Sequence, residues 1–170
     1  KGLLLWHLGM SGSLSFSHES ASTSNTPQMH DHFDLHTTQG LLRLNDPRRF
    51  GAVVYAESEA SAIAQKLLAH LGVEPLAGEF DLDTFHKNLK QRSAAIKQVL
   101  LAGNIVVGVG NIYASESLFW AGIHPERSAG GITDEEFQKL VKSIQKVLSS
   151  AIEQGGTTLR DYVNPEGKPG

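Results

Sequence analysis

The chain of 170 residues contains no cysteine, which excludes disulfides and thiolate-bound zinc within it and fits a reducing compartment. It also lacks an apolar run near the roughly 20 residues that a membrane-spanning helix needs. No cleavable leader is expected, because Lys1 is followed at once by the strand-like Gly2-Leu-Leu-Leu-Trp-His-Leu8 and not by the layered pattern of a signal peptide. These absences predict an intracellular protein with no membrane contact. An excess of positive charge is missing too. The formal net charge of −3 argues against a wholly basic nucleic-acid binder and leaves room for a local basic surface only. What is present, 40% apolar residues, suffices for one ordinary domain or two small ones to bury a core.

The hydrophobic period changes once, from about 2 to about 3.6, which predicts a β-rich part followed by a helical part with the boundary near Glu57. In the first part, Gly2–Leu8, Gly12–Phe16, His30–Thr37, Gly40–Asn45 and Phe50–Ala56 read as strands, with a hairpin turn at Thr38-Gln39-Gly40. The polar stretch Ser17–Met29 has no periodic apolar face and reads as a mobile loop. In the second part a helix is expected from Glu59 to Leu71, with Ile63, Leu67, Leu68 and Leu71 on one face and Gly72 as the stop. A shorter one follows from Asp81 to Lys90, and Ser93 can cap a third that carries Ile96, Val99 and Leu100. Asn111 starts the fourth. The last is the best signalled: Thr133-Asp134-Glu135-Glu136 is a capping box, and the apolar positions from Phe137 to Ile152 form a core stripe.

Between the third and fourth helices runs Gly108-Val-Gly-Asn-Ile-Tyr-Ala-Ser-Glu-Ser-Leu118, a glycine-paired turn leading into a helix. Gly108 and Gly110 permit unusual backbone conformations and close approach to a ligand, and Asn111 stands where an N-cap would present free amides and a positive dipole end. The chemistry suited to that arrangement is anion binding; a plain turn joining two helices is the alternative. A second pattern, His30, His32, Asp34 and His36, alternates onto one face of a strand as metal ligands in a small β-barrel could, or as surface histidines do. A sheet followed by five helices matches a metal barrel poorly.

Five motifs occur in one order: His7-Leu-Gly-Met-Ser-Gly-Ser-Leu14, His30-Asp-His32, Asp46-Pro-Arg-Arg-Phe-Gly51, Gly108–Leu118 and Gln154-Gly-Gly-Thr-Thr158. Through them the chain resembles the bacterial formamidopyrimidine-DNA glycosylases, which remove oxidised purines from DNA. The resemblance implies an α+β fold, an antiparallel β-sandwich portion followed by an all-α helix-two-turn-helix domain. It places the end of a catalytic domain in residues 1–57, the helical DNA-binding domain in 58–156, and the start of a lesion-capping loop in 157–170. The family's nucleophile is an N-terminal proline amine assisted by a glutamate and a lysine. None of the three has a counterpart here, so the chain reads as an internal fragment with no catalytic residue of its own. Glu116 is expected to orient neighbouring groups, not to act as an acid.

The resemblance further assigns phosphate contacts to His7, His30, Arg48, Arg92, Lys97 and Asn111, and an intercalating triad to Met10, Arg48 and Phe50. That triad pairs a flexible thioether with a cation that can face an orphaned base and a flat ring that wedges a base step. Taken singly, Met10 and Phe50 read as core residues and Arg48 as a solvated turn residue. Thr157, Thr158, Arg160 and Tyr162 fall in the lesion loop. The implied partner is double-stranded DNA holding oxidised purines or abasic sites, bound by a monomer in the bacterial cytoplasm. No cofactor is implied for this chain; one zinc belongs to a C-terminal finger of the longer parent. Two other classes stay open at this stage, a catalytically silent duplex-binding module and a His-rich metal-binding β protein.

Overall fold

A computed structural model of the chain describes residues 2–18, 26–78 and 80–156. It divides into two compact units, Lys1–Leu67 with Gly155–Gly170, and Leu68–Gln154. Part of the expected 17–29 loop and the whole lesion loop, with Thr157, Thr158, Arg160 and Tyr162, lie outside the described residues.

Among its described residues the first unit holds five strands, β1 (Leu3–His7), β2 (Ser13–His18), β3 (Asp31–Thr37), β4 (Gly40–Asn45) and β5 (Ala52–Ala56). β1 pairs antiparallel with β5, and β4 lies between β2 and β3 in a second antiparallel sheet. Trp6 of β1 meets Phe33 of β3 edge-on, with ring centroids 5.3 Å apart, so an aromatic pair joins the two sheets. Leu41, Leu44 and Ala56 are buried in the same unit. The β3–β4 turn forms where Thr38-Gln39-Gly40 predicts it. The Thr37 hydroxyl donates to the Gly40 carbonyl at 2.9 Å and accepts the Gln39 and Gly40 amides at 3.2 Å. Register is locked by opposite charges: Arg43 lies directly across from Asp34 and binds both its oxygens at 2.7 Å, while Asn45 donates to Asp31 at 2.8 Å. A planar guanidinium matched to a carboxylate fork fixes direction as well as distance. Of the alternating metal-ligand pattern, therefore, Asp34 is already taken by an arginine.

Five α-helices follow: α1 (Ala62–Leu68), α2 (Leu82–Lys90), α3 (Ile96–Leu101), α4 (Asn111–Ala121) and α5 (Asp134–Glu153). α2 to α5 enclose an apolar core in which Phe85, between Phe80 and Phe137 at centroid distances of 5.6 and 5.2 Å, has no exposed surface. The α5 capping box is present in full, Thr133 accepting the Glu136 amide at 3.2 Å and Glu136 accepting the Thr133 amide at 2.7 Å. Arg127 pairs with the same glutamate.

Three local expectations are corrected. α1 is shorter than Glu59–Leu71, and Ile63, Leu67 and Leu71 are exposed while Ala64 is buried. Spacing tells which residues share a face but not which face is covered. α3 is not capped by Ser93; its N-cap is Ala95, with no side-chain bond. Main-chain acceptors from after α4 serve instead, Ile96 and Lys97 donating to the carbonyls of Arg127 and Pro125 at 2.8 and 3.1 Å. α4 has Gly110 as N-cap, so Asn111 is its first helical residue and not the cap.

Replacing the enclosed Phe85 by alanine should cost about 3–5 kcal/mol, whereas Ile63→Ala should cost under about 0.5 kcal/mol as a surface change. Urea unfolding of both variants checks this, and comparable losses would place Ile63 in a core.

Candidate nucleic-acid interface

In the helical unit, the turn before α4 is built so that backbone faces solvent. Gly108 adopts φ +78°, a conformation that penalises any side chain. Gly110 does not: its φ of −80° and ψ of −178° suit any residue, and a β-carbon added there would meet nothing within 4 Å. Neither conformation nor packing within the described residues demands a glycine at 110, so the freedom it keeps is freedom of approach from outside. The Gly110 carbonyl accepts the Ala114 amide at 2.8 Å, opening a helix of 11 residues whose first amides have no partner within the helix. Partial positive charge gathers there. Asn111 is exposed at this end.

Arg92 and Lys97 form no ion pair with a carboxylate among the described residues. Arg92 is exposed, and its carbonyl accepts the Gly130 amide at 2.7 Å, which pins the backbone beneath it. Lys97, on the first turn of α3, borders a cleft of about 400 Å³ with Ser115, Phe119, Ile123 and Pro125. Glu116 is exposed on α4.

In the β unit, two loops carry the remaining candidates. Residues 8–12 run from β1 to β2 and residues 46–51 from β4 to β5, so each crosses from one sheet to the other. Asp46, 2% exposed, ties them. Its carboxylate accepts the Ser11 hydroxyl and the Gly51 amide, both at 2.7 Å. Ser11 in turn accepts the Arg48 amide at 3.2 Å. The Asp46 carbonyl accepts the Arg49 amide at 3.3 Å and contacts His32 Nε2 at 3.0 Å. The loops abut where Gly9, at φ +63°, would place a β-carbon 2.7 Å from the Phe50 carbonyl carbon. Arg49 is the single non-glycine residue at positive φ among the described residues, at 56°, a strain of about 1–2 kcal/mol. The kink leaves the Arg48 guanidinium 4.9 Å from the centre of the Phe50 ring.

Met10 and Phe50 are 76% and 56% exposed. They are not core residues of this unit. Phe50 held in water beside Arg48, with Met10 exposed on the other crossing loop, offers apolar groups suited to entering another apolar stack. No group of three or more His, Asp or Glu residues able to hold a metal occurs among the described residues, and with no cysteine in the chain its own donors do not fit a structural zinc.

Residues 71–163 match the formamidopyrimidine-DNA glycosylase H2TH domain and residues 1–53 the formamidopyrimidine-DNA glycosylase N-terminal domain. The chain belongs to the formamidopyrimidine-DNA glycosylase family. It is 58% identical to the formamidopyrimidine-DNA glycosylase of Variovorax paradoxus over its whole length, which is 62% of that protein. It is 51% identical to that of Legionella pneumophila strain Lens, covering 60% of it. The chain thus spans about three fifths of the curated relatives it matches. Among solved structures, the MutM (Fpg) protein of Thermus thermophilus superposes with a TM-score of 0.83 at 37% identity, over 99% of this chain and 60% of that one. Lactococcus lactis Fpg, solved with abasic-site DNA, gives 0.81 at 29% identity over the same shares.

Of the positions expected to face DNA in this glycosylase family, His7, Met10, Arg48, Phe50, Arg92 and Asn111 are exposed, while His30 and Lys97 are half-buried. His7 Nδ1 accepts the Gly9 amide at 3.2 Å, and the His30 carbonyl accepts the Asp46 amide at 2.9 Å. Motif reading passes over Ser11 and Asp46. The signals available are an Asp-Pro turn in one motif and a small hydroxyl residue in another, and neither motif names the other as partner.

The Asp46 carboxyl is held below the ordinary value of 3.8 because the Ser11 hydroxyl and the Gly51 amide bind its charged form, against burial, which acts the other way. A folded pKa below the unfolded one gives stability that is present above the unfolded value and lost as pH falls through the folded one. The loop tie should therefore hold at neutral pH and fail only in acid. In an NMR acid titration the Gly51 amide should shift with a midpoint below 3.8, and a midpoint at or above it would contradict the assignment.

Proposed function

We propose that this chain supplies DNA binding and damaged-base eversion to a glycosylase and AP lyase acting on oxidised purines such as 8-oxoguanine and formamidopyrimidines. The observation that carries the proposal is the exposed Met10–Arg48–Phe50 tip on two loops bound to one buried carboxylate. An enzyme that does chemistry on a base in a duplex must first take it out of the stack. The ring of Phe50 enters a base step, Met10 fills the irregular space, and Arg48 faces the base left without a partner. In the helical unit, the open turn at Gly110, the first amides of α4 and the cations Arg92 and Lys97 grip phosphates, which positions the duplex without reading its sequence.

The chemical step belongs to residues outside these motifs. Schiff-base formation needs an unprotonated amine at the sugar, and no motif of the chain provides one. The longer parent would add that amine and a zinc-held finger, and would act as a monomer in the bacterial cytoplasm. Among the described residues no helix is long and apolar enough to cross a membrane.

Binding to duplex DNA should weaken as salt rises, with each neutralised phosphate contributing about 1 to the log–log slope. Arg92→Ala should weaken binding evenly across sequences and reduce that slope, and Asn111→Ala should weaken it evenly as well. Unchanged affinity in both variants would end the phosphate assignment. The chain alone should give no borohydride-trapped adduct with abasic DNA; a robust adduct would show a nucleophile within these residues.

A further inference from the structure

We infer that Asp46, acting through Ser11 and the Gly51 amide, is a positioning residue that holds Met10, Arg48 and Phe50 in a single pose for insertion into an opened base stack. The inference rests on the wedge reading above and deepens it. Three features separate this role from ordinary loop packing. The first is topological. Asp46 follows directly on β4 and Gly51 leads directly into β5, so the Oδ2–amide bond of 2.7 Å joins the end of one sheet to the start of the other. The Ser11 bond brings in the crossing that carries Met10.

The second is the kind of partner. Where Arg43 meets Asp34, the carboxylate is held by a cation. Asp46 is buried with no cationic side chain bound to its carboxylate among the described residues; the Ser11 hydroxyl and the Gly51 amide solvate it, the Arg48 and Arg49 amides also favour its charged form, and such donors hold along narrow directions. The third is the relay. Ser11 donates to Asp46 and receives the Arg48 amide, and the next residue, Arg49, is kept at φ +56°. The Arg48 and Arg49 amides also favour the Asp46 carboxylate directly, so without the carboxylate and its relay the long 3.3 Å bond from the Arg49 amide to the Asp46 carbonyl is left to hold that kink, and Arg48 loses its place over the Phe50 ring.

The test uses the 170-residue chain with Asp46→Asn, Ser11→Ala and the conservative Ser11→Thr. Without DNA, NMR order parameters of the Arg48 and Gly51 amides should fall from about 0.85 to below about 0.6 in the first two variants and stay high in Ser11→Thr. With a duplex carrying a tetrahydrofuran abasic analogue opposite 2-aminopurine, both variants should lose most of the fluorescence change at the orphaned base. Affinity for an intact duplex should move less than about twofold, because phosphate contacts dominate it. Should Asp46→Asn fail to fold, Ser11→Ala makes the same comparison. High order and full fluorescence in both variants, with Phe50→Ala dark, would overturn the positioning role alone. If Phe50→Ala keeps the signal, or the unaltered chain gives none, the wedge reading falls and this inference with it.

Discussion

A carboxylate taken out of water must be solvated by the protein around it, and for Asp46 the shortest bonds come from Ser11 and Gly51. Because one belongs to the earlier sheet crossing and the other to the later, meeting that requirement draws both loops to one point. What they carry outward follows from this. Gly9 can lie against Phe50 only because it has no side chain, and Arg48 lies over the ring because Arg49 is held in a conformation it would not choose alone. Among its described residues the β unit buries few large side chains, Leu41 and Leu44 among them, and directional polar bonds add order beside that small core.

The helical unit solves a different problem, how a chain of net charge −3 can offer a surface to a polyanion. Several of its acidic residues are engaged with the fold. Asp134, Glu135 and Glu136 occupy the first turn of α5, where the helix dipole favours them. Glu136 binds Arg127 and Glu135 binds Lys139. Arg92 and Lys97 are left without such partners among the described residues, and the positive end of α4 opens beside a glycine that crowds nothing. Local placement, and not total charge, decides what approaches.

How much of this is legible in the sequence depends on the distance over which each feature is determined. The α5 capping box is a relation between residues three apart, and the pattern Thr133-Asp-Glu-Glu136 reveals it. Strand positions and the β3–β4 turn are local too, and they lie within a few residues of where alternation puts them. The α3 start escapes the local pattern at Ser93 because its capping groups sit on Pro125 and Arg127, far along the chain. Ile63, Leu67 and Leu71 share a face by spacing, yet periodicity cannot see what covers that face. At the candidate site, motif resemblance finds Met10, Arg48 and Phe50. Their common dependence on Asp46 stays hidden, since Ser11 and Asp46 are brought together only by strand pairing.

The main-chain capping of α3 reaches further than the helix it starts. The bonds from Ile96 and Lys97 to Arg127 and Pro125 close a loop of chain, and inside that loop lie the whole Gly108–Gly110 turn and all of α4. The closure is made by segments far apart in the chain, so the turn and the helix it opens are held at their base by tertiary contacts and not by local sequence alone.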